Sequence, residues 1–207
     1  MRSLRALNKR LASRKAFTLA ELLIVVAIVA VLVGISIPIF NAQLEKSREA
    51  TDLANMRAAK ALATDVMLSD INKSNCSNYG MKYWDNVLGD KNYVEYCGVY
   101  DVNKGKFSSL KVADFLKQNG CYGQGTASDG GSDYYGYDSK LDYSKAVVQV
   151  SIYPKGAGKL IYKFDSSFDS KYESTPCIII QWKQGNNNSD FIRPAGKERY
   201  GQITFVS

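Results

Sequence analysis

Apolar positions fall into three regimes along the 207-residue chain. Residues 17–40 read F-T-L-A-E-L-L-I-V-V-A-I-V-A-V-L-V-G-I-S-I-P-I-F, with Glu21 as the one charge. A helix of that length rises roughly 36 Å, enough to cross the hydrocarbon core of a bilayer. Helix is predicted over 17–37. Gly34 and Pro38 sit four apart near its end, and Pro38 has no N–H, so the Gly34 carbonyl loses its helical partner. The residues alone give a simple kink there.

The second regime, residues 41–72, continues the helix as an amphipathic one. Ala, Glu, Lys, Arg, Leu and Met dominate, and Gly and Pro are absent from 41 to 71. Leu53, Ala54, Ala61, Leu68 and Ile71 share one arc at helical spacing and are expected to bury against a sheet. Glu45 and Glu49, alternating with Lys46 and Arg48, are expected on a solvated stretch.

Residues 73–207 form the third regime, an expected globular head. The part from 79 to 108 is rich in Tyr, Asn and Lys and gives no clear period, although Trp84, Tyr93, Tyr96, Val99 and Tyr100 are expected in or beside a core. A short helix is predicted over 109–119, capped by Ser109 and stopped by Gly120. Residues 120–144, dominated by Gly, Ser, Asp and Tyr, read as a loop. Residues 146–153 alternate Val148, Val150 and Ile152 with Gln149, Ser151 and Tyr153. They are expected to pair with 160–164 as a hairpin through a turn at 154–158. Further strands are predicted at 177–183 and 202–206. The fold class is α+β: a long N-terminal helix, with a membrane half and an amphipathic half, packed on an antiparallel sheet of about four strands.

Charge changes the reading of the N-terminus. Arg2, Arg5, Lys9, Arg10, Arg14 and Lys15 leave residues 1–16 strongly basic and without an acid. Without them 21 Lys and Arg face 20 Asp and Glu, so the formal +7 falls to +1 and gives no argument for nucleic acid. A basic segment before an apolar helix stays cytoplasmic, which puts the following part outside. Glu21 is not explained by anchoring alone, because a carboxylate at the edge of a membrane helix carries an energetic cost.

Phe17, Thr18, Leu19 and Glu21, after a basic leader and before an apolar helix with Pro38 at its end, resemble the type IV pilin signature. The resemblance covers about the first quarter of the chain, and Ala16 stands where that family usually has glycine. It implies cleavage after Ala16 by a prepilin peptidase, N-methylation of Phe17, a segment between Gly34 and Pro38 able to lose helical order when subunits pack, and an assembly role for Glu21. That carboxylate would meet the terminal amine of a neighbouring subunit. The implied partners are the same or related pilins in a filament, the peptidase, a pilus assembly platform, and the membrane as a single span before assembly. The implied place is a bacterial or archaeal-like cell membrane with the head outside, then an extracellular filament. The leading function is a structural subunit of a type IV pilus or related filament. A type II secretion-type pseudopilin or minor pilin is the alternative, and a non-polymerising, membrane-anchored ligand-binding ectodomain a further one. Nothing in the head selects among adhesion, motility, DNA uptake and secretion, or points to a surface ligand.

Cys76, Cys97, Cys121 and Cys177 all fall on the expected outer side, where an even count favours disulfides, and all three pairings are open. Zinc is disfavoured, since the chain has no histidine and no C-x-x-C pair. Asp129, Asp133, Asp138 and Asp142 invite a calcium reading but match no EF-hand spacing. Tyr134, Tyr135, Tyr137 and Tyr143 are better explained by packing on the sheet than by stacking on a sugar. Lys155, Lys159 and Lys163 make a modest basic patch. No cofactor is expected. Without histidine no Ser-His or Cys-His pair exists, and no phosphate loop occurs, so an enzyme is not expected.

Overall fold

The computed structural model describes residues 17–85, 93–127, 137–157, 174–187, 190–192 and 202–206. The two predicted helical regimes form one element, α1, Leu19–Leu68, with Pro38 inside it. Its last turn closes when Ser69 N–H bonds to the Asp65 and Val66 carbonyls, and Asp70 then takes a positive φ of 51°. A single 3₁₀ turn, Cys76–Tyr79, follows.

The described strands are β1 (Lys82–Trp84), β2 (Glu95–Asp101), β3 (Lys106–Ser108), β4 (Val147–Tyr153), β5 (Cys177–Lys183) and β6 (Gln202–Phe205). They form one antiparallel sheet in the order β1-β2-β4-β5-β6, and β3 lies end to end with β1 along the outer edge of β2. The sheet thus has six described strands rather than about four. β4 pairs with β2 on one side (Gly98 opposite Val150) and with β5 on the other (Val150 opposite Ile180). The hairpin partner expected at 160–164 lies outside the described residues.

Alternation sorts the sheet into two faces. Tyr96, Tyr100, Val148, Val150, Ile152, Ile178, Ile180 and Trp182 meet Met56, Ala59, Ala63 and Val66 of α1 in the main core. The opposite face is covered too. Helix α2, Val112–Asn119, packs Val112 and Phe115 on Val99 and Val147. Tyr153, Cys177 and Ile179 cluster with Ala157 on the same side. Ser151 and Tyr153, on the polar side of the predicted alternation, are therefore buried.

Three expectations fail here for physical reasons. The buried face of α1 is Glu45, Glu49, Asp52, Met56, Ala59, Ala63 and Val66. Of the predicted arc, Ile71 is buried and Leu53 half-buried, while Ala54, Ala61 and Leu68 are exposed. Small residues let the helix approach the sheet, and acids serve where it meets loop backbone, so hydrophobicity alone does not trace this stripe. Glu45 and Glu49 are correspondingly not solvated, at 2% and 3% exposure. Trp84, expected near the core, is 53% exposed because it ends the short edge strand β1.

Helix α2 also starts later than predicted. Lys111, in extended conformation, precedes its first turn and makes no capping bond with its own side chain, so Ser109 is not the cap. Ser108 instead accepts from Leu110 N–H, and the Asn186 side chain accepts from Ala113 N–H. Gly120 ends the helix as expected, its N–H bonding to the Leu116 carbonyl.

The observed and predicted arcs of α1 make opposite forecasts. Met56→Ala should destabilise the protein by about 2–5 kcal/mol. Leu68→Ala, at an exposed site, should stay within about 0.5 kcal/mol. Urea unfolding of the detergent-solubilised full chain, followed by tryptophan fluorescence, checks both.

Candidate assembly site

Residues 17–40 present an unbroken apolar surface. Every side chain in the segment is exposed, including Leu22, Val26, Val33, Ile37 and Phe40. By length and composition α1 is the one described helix able to cross a membrane.

The polar residues at its start form a closed hydrogen-bond set. Thr18 donates its backbone N–H to Glu21 Oε2 at 2.8 Å and its hydroxyl to the same oxygen at 3.0 Å. Glu21 N–H returns a bond to Thr18 Oγ1 at 3.2 Å. This is a capping box: T-L-A-E places Thr18 before the first turn and Glu21 three residues on, and each satisfies an end group of the other. Glu21 therefore has a local partner in the single chain, which makes its cost at this position intelligible without a second molecule. The T-x-x-E spacing carries this cap in the sequence, at the same residues whose resemblance points Glu21 to a neighbouring subunit.

Further along, Gly34 has open space where a side chain would be, and Ser36 Oγ donates to the Leu32 carbonyl at 2.7 Å. The helix stays continuous through Gly34 and Pro38 in this state. Missing one backbone bond at Pro38 is tolerated inside a helix when its flanks hold.

The amphipathic half carries a second set of carboxylates. Asp52, fully buried, accepts from Gln124 N–H at 2.9 Å, Gly125 N–H at 2.8 Å and the Tyr137 hydroxyl at 3.0 Å. Glu45 accepts from Thr126 N–H and pairs with Arg48 at 3.2 Å. Consecutive loop N–H groups thus end on two acids of α1. A side chain on Gly125 would strike the Tyr137 hydroxyl, and one on Gly123 the Tyr143 carbonyl. Tyr137 and Tyr143 stack at 4.1 Å between centroids, and Tyr143 meets Trp182 edge-on. Those two tyrosines pack as expected; Tyr134 and Tyr135 lie outside the described residues. Burial, the larger effect, pushes the Asp52 carboxyl above its ordinary 3.8 against the three donors, with the Glu45 charge adding to the rise.

The other candidates separate. Ala16 and the rest of residues 1–16 lie outside the described residues, as do Asp129, Asp133, Lys159 and Lys163. Asp138 accepts from Lys140 N–H and Asp142 from Ser144, both within local turns. Among the described residues no group of three or more acids and cysteines is placed to hold a metal. No disulfide joins Cys76, Cys97, Cys121 or Cys177 in this structure. Cys76 lies in the main core, while Cys97 and Cys177 lie on the other face with β4 between their strands. Strand spacing puts their Cα atoms about 10 Å apart or more, beyond disulfide reach. Burial pushes both of those thiols up to about 12. Cys121 is exposed beside the Ser144 carbonyl.

The features define a filament-subunit architecture: an exposed apolar helix, a capped acid at its start, and a second half bound to a sheet. Residues 11–37 match the prokaryotic N-terminal methylation motif. A fimbrial protein of Dichelobacter nodosus is 30% identical over 121 residues, covering 56% of this chain and 71% of the relative. The type IV major fimbrial protein FimA of the same organism is 29% identical over 121 residues, with the same coverage. No solved structure matches at a significant level. The chain belongs to the type IV pilin family. It is a structural pilus subunit that assembles with other pilins, and its family is structural rather than catalytic.

Asp52 sets two expectations for the head. Asp52→Ala strands two backbone donors and a hydroxyl and should cost about 3 kcal/mol in urea unfolding at neutral pH. A carboxyl raised in the folded state binds more protons there than in the unfolded chain. Its contribution to stability therefore grows as pH falls through the raised value toward 3.8. In that window Asp52→Asn should remove this part of the pH slope, which urea titrations at several pH values would reveal.

Proposed function

We propose that this chain is a building subunit made as a precursor, cut after Ala16, and methylated on Phe17. In this reading a prepilin peptidase and an assembly platform are its partners. The protein waits in the membrane with its head outside, and then enters an extracellular filament. The observation that carries the reading is the match of residues 11–37 to the N-terminal methylation motif, which spans Ala16, Phe17 and Glu21 at the head of an exposed apolar helix.

Cleavage would create a charged amine on Phe17, one residue before Thr18. Apolar helices gain little hydrophobic energy on leaving lipid for a bundle of like helices. Polar contacts at fixed positions therefore set the register of docking. The Glu21 carboxylate can keep one Thr18 bond and use its remaining acceptor capacity for a neighbour's amine, so the pair offsets two desolvation costs at once. Gly34 and Pro38 would let the helix adjust as neighbours pack. The description of one relative as a major fimbrial protein favours a building subunit over a pseudopilin or minor component.

Glu21→Ala should leave a membrane-inserted protein whose yield in sheared filaments falls at least about tenfold, the scale of one lost charge-assisted bond. Glu21→Gln keeps the cap and loses the charge. If it assembles normally, charge pairing is not the docking element. Mass spectrometry of the N-terminal peptide separates the larger alternatives. Methylated Phe17 abundant in sheared filaments supports the building subunit. A processed end confined to membranes supports a pseudopilin or minor pilin. An intact Met1 leader everywhere supports an anchored ectodomain.

A further inference from the structure

The turn after α1 carries two adjacent Asn-x-Ser triplets, Asn72-Lys73-Ser74 and Asn75-Cys76-Ser77, and the fold treats them differently. Asn72, Lys73 and Ser74 are all exposed. Asn72 Oδ1 accepts three bonds: from Ser74 N–H at 3.0 Å, from the Ser74 hydroxyl at 2.6 Å and from Asn75 N–H at 3.2 Å. Its Nδ2 donates to the Asp70 carbonyl at 3.2 Å, which uses one of its two hydrogens. Asp70, two residues earlier, is exposed and has a φ of 51°. In the second triplet Asn75 is half-buried and its Oδ1 takes Asn72 N–H at 2.7 Å, while the middle residue, Cys76, is buried at 6% exposure.

We propose that Asn72 is the acceptor of an N-linked oligosaccharide, transferred on the outer side of the membrane from a lipid diphosphate carrier. An amide nitrogen is a poor nucleophile because its lone pair is delocalised onto oxygen. Donors gathered on Oδ1 stabilise negative charge there and ease loss of an Nδ2 proton. The Ser74 hydroxyl supplies the shortest of them, and Asn-x-Ser is the acceptor pattern that such transfer uses. In the step, the Nδ2–C1 bond to the first sugar forms and the C1–O bond to the diphosphate breaks. The lipid diphosphate leaves with the electron pair, and the amide proton passes to a base of the transferase. The Asp70 carboxylate offers a charged handle to a basic acceptor groove. Asn75 lacks this arrangement, so of the two triplets in this turn Asn72 is the acceptor. The proposal rests on the pilin reading only in placing the turn outside the cell.

The test uses the protein from its own cells, in sheared filaments and membranes, reduced, alkylated and cut with chymotrypsin. Trypsin is unsuitable because it cuts at Lys73. The peptide of residues 69–79 holds both triplets. Electron-transfer fragmentation should place sugar mass on Asn72 and none on Asn75. Asn72→Gln should abolish it. Ser74→Ala, which keeps the backbone donors, should lower occupancy at least about tenfold, one hydrogen bond's worth, whereas Ser74→Thr should retain it. A bare wild-type peptide in both fractions overturns the proposal, as does sugar on Asn75 or undiminished occupancy in Ser74→Ala. The peptide beginning at Phe17 in the same digest reports processing separately, so failure of the filament reading would be seen on its own.

Discussion

The head depends on how one helix binds loop backbone through its buried acids. Asp52 and Glu45 of α1 take the N–H groups of Gln124, Gly125 and Thr126, three consecutive donors that no strand pairs. Buried backbone donors need acceptors, and a loop lying on a helix flank finds none in the helix backbone, whose carbonyls are already used. Two carboxylates spaced seven residues apart, two turns along one face, supply them. Tyr137 completes the Asp52 set and stacks on Tyr143, which in turn meets Trp182 of β5, so the polar contact continues into the core.

This contact also marks where sequence reading stopped. Helix, anchor, β4, β5 and β6 were legible because each carries a strong local period. The stripe on α1 was not, since its members are two glutamates, an aspartate, a methionine, two alanines and a valine. Their spacing is regular, but their hydrophobicity is not, and an acid facing loop N–H groups looks like an acid facing water until the loop is seen. β2 was missed because Gly98 and Asp101 dilute a Tyr96, Val99 and Tyr100 pattern that is real. The capping box at Thr18 and Glu21 was readable from spacing alone, and what hid it was a more specific resemblance at the same residues.

The two halves of α1 answer to different solvents. The first half exposes aliphatic side chains throughout, which suits lipid or the flanks of like helices. The second half has one face of small and acidic residues for the sheet, and Arg57, Ala58, Ala61 and Asp65 are exposed on the rest. Membership in the pilin family fits this division, because such a subunit must be stable both before and after it leaves the bilayer.

The sheet order has a kinetic consequence. β4 lies between β2 and β5, and the N–H groups that quench Asp52 sit some seventy residues beyond it in the chain. Such distant contacts form late. While the chain emerges, the acid-bearing face of α1 has nothing to bind, and its carboxylates are hydrated. A purely aliphatic face would invite premature association with other nascent helices at that moment. The acids that close the finished head thus wait for donors that follow them by seventy to eighty residues in the chain.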